Sequence, residues 1–184
     1  YDIHYLTTSL QQCSKNIYYW NVKYNYIDSN ALINTKHIIH LAGFNITNNW
    51  SVKNKKIMYD SRIKTSELLY SECLKHKINP ATYISASAMG FYGFHQNGLK
   101  NENNKCGDDW MAKLCDNWEK AADKFKLINT RVIKMRLALI MDKDHGLFHK
   151  ICLGFKFKIG VFFGNGSQIF PWISIEDVIN FIVF

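Results

Sequence analysis

The sequence has no apolar stretch approaching the ~20 residues of a membrane-spanning helix, and no signal-peptide pattern opens it. Its five cysteines include no C-x-x-C pair and have no histidine at metal-ligand spacing, which argues against a disulfide scaffold and a structural zinc site. Internal repeats, linkers and low-complexity tails are also lacking. These absences predict a cytoplasmic protein of a reducing compartment, with no membrane partner.

What the chain does contain predicts one folded domain. It has 184 residues, of which 47% are hydrophobic and 15% aromatic, enough for a real core and too hydrophobic for a disordered polymer. The formal net charge of +8 would suit a polyanion, but the lysines are scattered rather than clustered. We therefore expect no nucleic-acid partner, although a basic nucleic-acid-binding domain stays open as a third interpretation that rests on charge alone.

The middle of the chain predicts an α/β fold. Residues 37–43 form a compact apolar run ending in small residues, which is typical of a strand buried on both faces of a parallel sheet. A helical pattern from about Lys53 to His76 stops at Asn79-Pro80, and a strand follows at residues 82–87. Strand, helix and strand in this order form a right-handed βαβ unit. Gly43 and Ser87 should then lie along one crevice at the carboxyl edge of the sheet.

The remaining elements are predicted from local patterns. Further strands are expected over Ile3–Leu6, Ile17–Trp20 and Thr130–Leu139. N-caps are expected at Asp28, Asp108–Asp109 and Ser174, the second opening a helix with Met111, Cys115, Trp118, Ala122 and Phe125 on one face. Residues 145–170 have no clear period and are interpreted as a substrate-side loop region.

Tyr83–Gly93 is the stretch where chemistry is most expected. Its apolar start, alternating serines and Gly-aromatic-Gly exit indicate a buried strand that ends in a ligand-facing loop. Ser85 and Ser87 supply hydroxyls that can donate or accept a hydrogen bond. The alternative is a core strand whose serines satisfy nearby backbone groups. His37 and His40 are interpreted as strand residues rather than metal ligands.

Six ordered blocks of residues carry a resemblance to a known family. They are Ile39–Ile46, Asp60–Arg62, Ser85–Gly93, Trp118–Glu119, Gly164–Gln168 and Trp172–Asp177. In order and spacing they resemble the sugar-nucleotide epimerase-like branch of the extended short-chain dehydrogenase/reductases, the NAD-dependent epimerase/dehydratase family. The match runs from about His37 to Asp177, and the chain looks truncated at both ends relative to that family.

The resemblance implies a Rossmann-like parallel sheet flanked by helices and an NAD or NADP cofactor. Residues 1–143 would be a partial NAD(P)-binding domain, and residues 144–184 the start of a C-terminal substrate-side region. Ala42, Gly43 and Ser85 would lie on the cofactor side, with a structural role as the alternative for Ser85. Ser87 would be the catalytic serine that polarises a hydroxyl or carbonyl of a small-molecule substrate, such as a nucleotide sugar. Tyr92 and Gly93 would line the substrate pocket, with a packing role as the alternative for Tyr92. No oligomeric state is implied.

Two departures from the family pattern leave a second function open. No G-x-x-G-x-x-G turn occurs, and Tyr1–Leu6 aligns with the family's second strand, so we expect the first strand, glycine turn and first helix to be missing. A sheet without that strand would have two unpaired edges. Met111 and Cys115 stand where the family's Tyr-x-x-x-Lys pair is expected. The alternative is therefore a non-catalytic or degenerate dinucleotide-binding or scaffold protein of the same fold.

Overall fold

Strands and helices alternate through most of the chain, as the α/β prediction requires. The computed structural model describes residues 2–94, 98–160, 165–166 and 169–184. Its strands are β1 (Tyr5–Thr7), β2 (Ile17–Asn21), β3 (Tyr26–Ile27), β4 (His37–His40), β5 (Thr82–Ala88), β6 (Arg131–Leu137), β7 (Leu139–Met141) and β8 (Trp172–Ser174). Its α-helices are α1 (Val52–Asp60), α2 (Ile63–Lys75), α3 (Trp110–Asp123), α4 (Gly146–Lys156) and α5 (Ile175–Val183).

The strands form two three-stranded sheets and one two-stranded sheet. The first sheet has the order β1-β2-β3 and the second the order β4-β5-β6. β1 pairs with β2 in parallel, and β4 pairs with β5 in parallel. Among the described residues, β1 and β4 are therefore edge strands that hydrogen-bond to one neighbour each, which agrees with the two unpaired edges expected from the sequence.

The main core lies between the β4–β5 pair and helices α2 and α3. The ring of Tyr83 stacks on Phe125 at a centroid distance of 3.9 Å, and its hydroxyl donates a hydrogen bond of 2.9 Å to Ser66 Oγ. Ile38 is buried in the same cluster. Ile39, which points to the opposite face of the sheet, is 50% exposed. The prediction that β4 is buried on both faces is thus wrong for the described residues, because burial alternates along the strand and leaves the Ile39 face exposed.

The helix predicted over residues 53–76 is in fact two helices. α1 ends at Asp60 and α2 begins at Ile63. Ser61 and Arg62 interrupt the pattern because their side chains bind the backbone of Phe44: Ser61 Oγ accepts from its N–H at 2.8 Å, and Arg62 Nη1 donates to its carbonyl at 3.1 Å. A hydrophobic periodicity that continues across the break gave no sign of this interruption.

The predicted helix caps are confirmed. Asp109 accepts a hydrogen bond from the backbone N–H of Ala112 and opens α3, and Ser174 accepts from Asp177 and opens α5. Asp28 caps a short 3-10 helix at Ser29–Ala31. In each case a short polar side chain satisfies an N–H that the first helical turn leaves without an intrahelical partner.

Two expectations for the last third of the chain are wrong. The strand predicted over Thr130–Leu139 is divided into β6 and β7, and β7 pairs in parallel with β8 rather than continuing β6. Residues 145–170 include helix α4, which no residue pattern predicted because the helix buries none of its residues completely and has no side-chain cap. Gly164, Ser167 and Gln168 of the fifth matching block lie outside the described residues.

Contacts divide the chain into two compact units, residues 1–135 and residues 136–184. The first contains β1 to β5 and α1 to α3, and the second contains α4, α5 and the β7–β8 pair. The domain boundary after residue 143 stays a prediction. Within the described ranges, none of the helices is long and apolar enough to cross a membrane.

Candidate functional site

The candidate site lies at the carboxyl edge of β4 and β5. The parallel register pairs His40 with Ser85, so Ala42 and Ser87 each lie two residues beyond a paired position. Both strands therefore end at the same edge of the sheet, the edge where open α/β sheets bind their ligands. The parallel pairing expected for the βαβ unit is confirmed.

Ser87 is buried beneath α3 rather than open to the edge. It is 4% exposed, and its hydroxyl donates a hydrogen bond of 2.8 Å to Oε1 of Glu119, which is also 4% exposed. Lys134 Nζ lies 3.8 Å from Oε2 of the same carboxylate and forms a closer pair with Asp123 at 2.9 Å. A buried carboxylate needs such partners, because an unpaired charge is strongly unfavourable away from water.

Ser85 faces the same side of β5 and is buried more completely. Its hydroxyl donates to the carbonyl of Ala86 at 2.9 Å. Beside it on β4, His40 Nε2 lies 2.9 Å from Thr65 Oγ1. Because the Thr65 hydroxyl lies within donor reach of the Ser61 and Arg62 carbonyls, His40 can donate to it as the neutral Nε2–H tautomer. Ser85 and His40 thus both have the structural contacts of core residues.

The loop after β4 exposes Gly43 and leaves Ala42 half-buried. A Cβ atom on Gly43 would come within 3.0 Å of the Arg62 guanidinium carbon and of Nη2. The guanidinium therefore lies directly against the loop backbone. Glycine is suited to this position because the close approach leaves little room for a side chain, and the loop keeps its peptide groups accessible from outside.

Arg62 is held from several directions at once. Its Nη1 donates to the carbonyls of Phe44 and Met58, each at 3.1 Å, and its Cζ lies 5.1 Å from the centre of the Trp118 indole. Burial lowers the pKa of Arg62 from its ordinary value. Burial also lowers the pKa of His40 to about 4, with the nearby Arg62 charge as a second cause, so that imidazole is neutral near pH 7.

Tyr92 and Gly93 lie on the turn that follows β5. The Tyr92 hydroxyl donates to the carbonyl of Asn101 at 3.0 Å. Gly93 adopts φ +84°, and a Cβ there would meet Asp109 Oδ2 at 3.0 Å. Both restraints favour glycine at this position. These contacts hold the turn against the segment that precedes α3.

Met111 and Cys115 face the exit of the serine strand. A Cβ on Gly90 would lie 2.7 Å from Met111 Cγ and 3.8 Å from Cys115 Sγ. Burial raises the pKa of the Cys115 thiol to about 11, although a backbone hydrogen bond involving Ala88 opposes the rise. These two positions, where the sequence resemblance predicted a proton-transfer pair, carry a thioether and a neutral thiol.

Comparison with known proteins shows that the chain is similar in sequence to several epimerase family proteins. An epimerase family protein of Mycobacterium leprae is 31% identical over 167 residues, which is 90% of this chain and 54% of that protein. A chloroplastic epimerase family protein of Arabidopsis thaliana is 30% identical over 155 residues, 83% of this chain and 44% of that protein. The chain is a homologue of the epimerase family proteins. It spans about half the length of these relatives. No family model matches the chain.

Solved structures confirm the Rossmann-like α/β fold of this epimerase homologue. A nucleoside-diphosphate sugar epimerase from Corynebacterium glutamicum is 28% identical and superposes with a TM-score of 0.73, covering 89% of this chain and 34% of that one. A human epimerase family protein solved with NADPH gives a TM-score of 0.80 at 22% identity, covering 99% of this chain and 60% of that one. The resemblance to the extended short-chain dehydrogenase/reductases is confirmed.

Two contributors to the site were not identified from the sequence as site residues. Arg62 and Glu119 both lie in matching blocks, yet nothing in their spacing indicated that Arg62 binds the Gly43 loop or that Glu119 binds Ser87. No signal was available for Arg62, because the hydrophobic periodicity runs through it. Glu119 did offer one, since it is a charged residue on the apolar face of α3 beside Trp118, where a buried partner is required.

Proposed function

We propose that this epimerase homologue is part of an NAD(P)-dependent epimerase/dehydratase-like oxidoreductase acting on a nucleotide sugar or a similar small molecule. The observation that carries the proposal is the parallel pairing of β4 with β5, which brings the small-residue Gly43 loop and the end of the serine strand to one edge. The relatives and the solved neighbours, some of which contain NAD or NADPH, support the same class of protein.

The described residues fit part of a dinucleotide site. Gly43 leaves an exposed peptide backbone at the carboxyl edge, which a ribose or phosphate can approach, and half-buried Ala42 lies next to it. Ser85 fits less well as a cofactor contact, since its hydroxyl is buried and bonded to a carbonyl. The sequence contains no glycine-rich turn that would hold a pyrophosphate.

When bound, a nicotinamide supplies hydride transfer, and the chain's own residues would orient the substrate. Ser87 donates its hydroxyl hydrogen to Glu119, so its remaining lone pairs would receive a hydrogen bond from a substrate hydroxyl. Tyr92 and Gly93, on the turn after the strand, would line the substrate side. These assignments, and those of Ala42, Gly43 and Ser85, are predictions of the proposal.

Cofactor binding tests the proposal directly. We expect NADH or NADPH fluorescence to change saturably when either is titrated with the protein. We expect Gly43→Val to weaken the change at least about tenfold, because its side chain would meet the Arg62 guanidinium and displace the loop. Gly160→Val is the matched control, because a Cβ at Gly160 meets only ordinary contact at 3.5 Å. The absence of any change up to about 1 mM cofactor would contradict the proposal.

A second function is favoured by one observation. Met111 and Cys115 occupy the helix face beside Gly90 without a group that can transfer a proton near neutral pH. A non-catalytic dinucleotide-binding or scaffold protein of the same fold would retain cofactor binding and lack turnover. Conversion of UDP-sugars to new products in the presence of NAD+ or NADP+ separates the two. Because epimerisation and dehydration return the hydride to the sugar, the sugar product is measured rather than the reduced cofactor. Conversion abolished by Ser87→Ala supports the enzyme, whereas cofactor binding without conversion in the wild type supports the scaffold.

A further inference from the structure

Three aromatic side chains from separate segments converge at the carboxyl edge of β4 and β5. Trp50 lies in the loop after β4, Phe94 in the loop after β5, and Trp110 is the first residue of α3. The ring centre of Trp50 is 5.3 Å from that of Trp110 and 6.2 Å from that of Phe94. Trp50 nevertheless remains 40% exposed and Phe94 64% exposed. These three residues are called the aromatic cluster. Trp50 and Phe94 present exposed ring surface, while Trp110 is half-buried and packs against the buried residues around Met58 and Trp118.

Hydrogen bonds fix the aromatic cluster in place. The indole N–H of Trp50 donates to the carbonyl of Ile46 at 3.1 Å. The backbone N–H of Phe94 donates to Asp109 Oδ2 at 2.9 Å, while Oδ1 of the same carboxylate caps the helix that Trp110 opens. A surface whose parts are already oriented loses less entropy when a ligand binds, so the arrangement is suited to binding.

A lysine lies beside the rings. Lys55 Nζ is 5.1 Å from the centre of the Trp110 ring and 5.9 Å from that of Trp50, within the range of a cation–π contact. Exposed aromatic rings stack planar bases, and an adjacent ammonium group attracts phosphate. A ligand that carries a planar base and a phosphate close together would use both features at once.

We propose that the aromatic cluster and Lys55 form a stacking subsite for the base of a nucleoside 5′-diphosphate, with Lys55 facing its phosphates. The subsite shares the carboxyl edge with Gly43 and is formed by residues to which no role was given above. The inference deepens the proposed function and rests on it for the choice of a nucleotide as ligand. It does not depend on hydride transfer or on Ser87.

Tryptophan fluorescence of the whole chain, titrated with UDP, tests this subsite. We expect saturable quenching by UDP, weaker quenching by uridine, which lacks the phosphates, and none by ribose 5-phosphate, which lacks the base. Trp50→Leu should weaken UDP binding about tenfold or more through lost stacking. Lys55→Gln should weaken UDP binding several-fold while leaving uridine binding unchanged, because it removes only the charge.

Two surface variants guard against misfolding and misassignment. Phe94→Leu changes a largely exposed residue and should also weaken UDP binding, so the subsite remains testable if Trp50→Leu fails to fold. Trp172→Phe is the matched control, because Trp172 is 61% exposed and belongs to the other unit. Absence of saturable UDP quenching in the folded wild type, or quenching lost in Trp172→Phe and kept in Trp50→Leu, overturns the inference.

The result is separable from the test of the proposed function. UDP binding with no NADH or NADPH binding would keep the subsite and remove the NAD(P)-dependent function. NADH or NADPH binding with no UDP quenching would remove the subsite and keep the cofactor site.

Discussion

Ser87 Oγ donates a 2.8 Å hydrogen bond to Glu119 Oε1, and both side chains are buried. The bond joins the end of β5 to the middle of α3, so it fixes the strand that carries the predicted catalytic serine against the helix that faces it. The bond also determines whether the Ser87 hydroxyl can donate to a ligand or only accept from it. Since the hydrogen is directed to the carboxylate, Ser87 meets any ligand as an acceptor.

The first prediction concerns the stability supplied by this bond. We expect Glu119→Ala to lower the free energy of unfolding by about 3 kcal/mol, because it leaves Ser87 without its buried acceptor and opens a cavity. Glu119→Gln, which keeps the shape and an acceptor oxygen, should cost about half as much. Urea unfolding measures both.

Asp116→Ala is the control for the loss of a carboxylate from the same helix. Asp116 pairs with Lys120 at 2.6 Å on the surface, so its loss should change stability by no more than about 0.5 kcal/mol. Equal effects of Glu119→Ala and Asp116→Ala would show that the buried bond contributes little.

The second prediction is a loss of stability in mild acid caused by His40. Burial lowers its folded-state pKa to about 4, below the value of ~6.5 expected in the unfolded chain, so the unfolded state binds the proton first. Stability should therefore fall as the pH drops from about 6.5 towards 4, by roughly 3 kcal/mol from this residue. Chemical unfolding at several pH values measures the slope.

His40→Gln should flatten this slope between pH 4 and 6.5, because glutamine does not titrate. The exposed His37 on the same strand supplies the control, and His37→Gln should leave the slope as it is in the wild type. A slope unaffected by His40→Gln would mean that His40 does not cause the acid sensitivity, and carboxylates with lowered pKa values, such as Asp123, would lose their contribution only below about pH 4.

The sequence predicted the elements that depend on local chemistry and missed those that depend on contacts between distant residues. The caps at Asp109 and Ser174 follow from short polar side chains next to a helical pattern, and both are confirmed. The break at Ser61 could not be predicted, because its cause is the backbone of Phe44, 17 residues away. The resemblance to the family identified the region of the site, whereas the Glu119 partner of Ser87 is visible only in three dimensions.

The third prediction concerns the reactivity of the thiols. Cys13 is exposed, whereas Cys73 and Cys115 are buried and burial raises the pKa of each to about 11. Because the thiolate is the reactive form, we expect iodoacetamide at pH 8 to alkylate Cys13 in the native protein long before the two buried cysteines. Peptide mass mapping over time measures the order. In urea all five cysteines should react at similar rates, and fast native labelling of Cys115 would mean that α3 does not pack on the serine strand.

The last prediction tests the packing of α3 against the exit of that strand. A Cβ on Gly90 would lie 2.7 Å from Met111 Cγ, too close without a shift of one side chain. We expect Gly90→Ala to destabilise the protein by about 1–3 kcal/mol through overpacking, and by much less in a Met111→Ala background, where the obstructing atoms are gone. Unfolding of the two single variants and the double variant gives the coupling energy directly. Gly160→Ala, which meets only ordinary contacts, should be neutral. Additive effects at Gly90 and Met111 would mean that the two residues are not in contact, and that α3 does not pack on the exit of the serine strand as the structure places it.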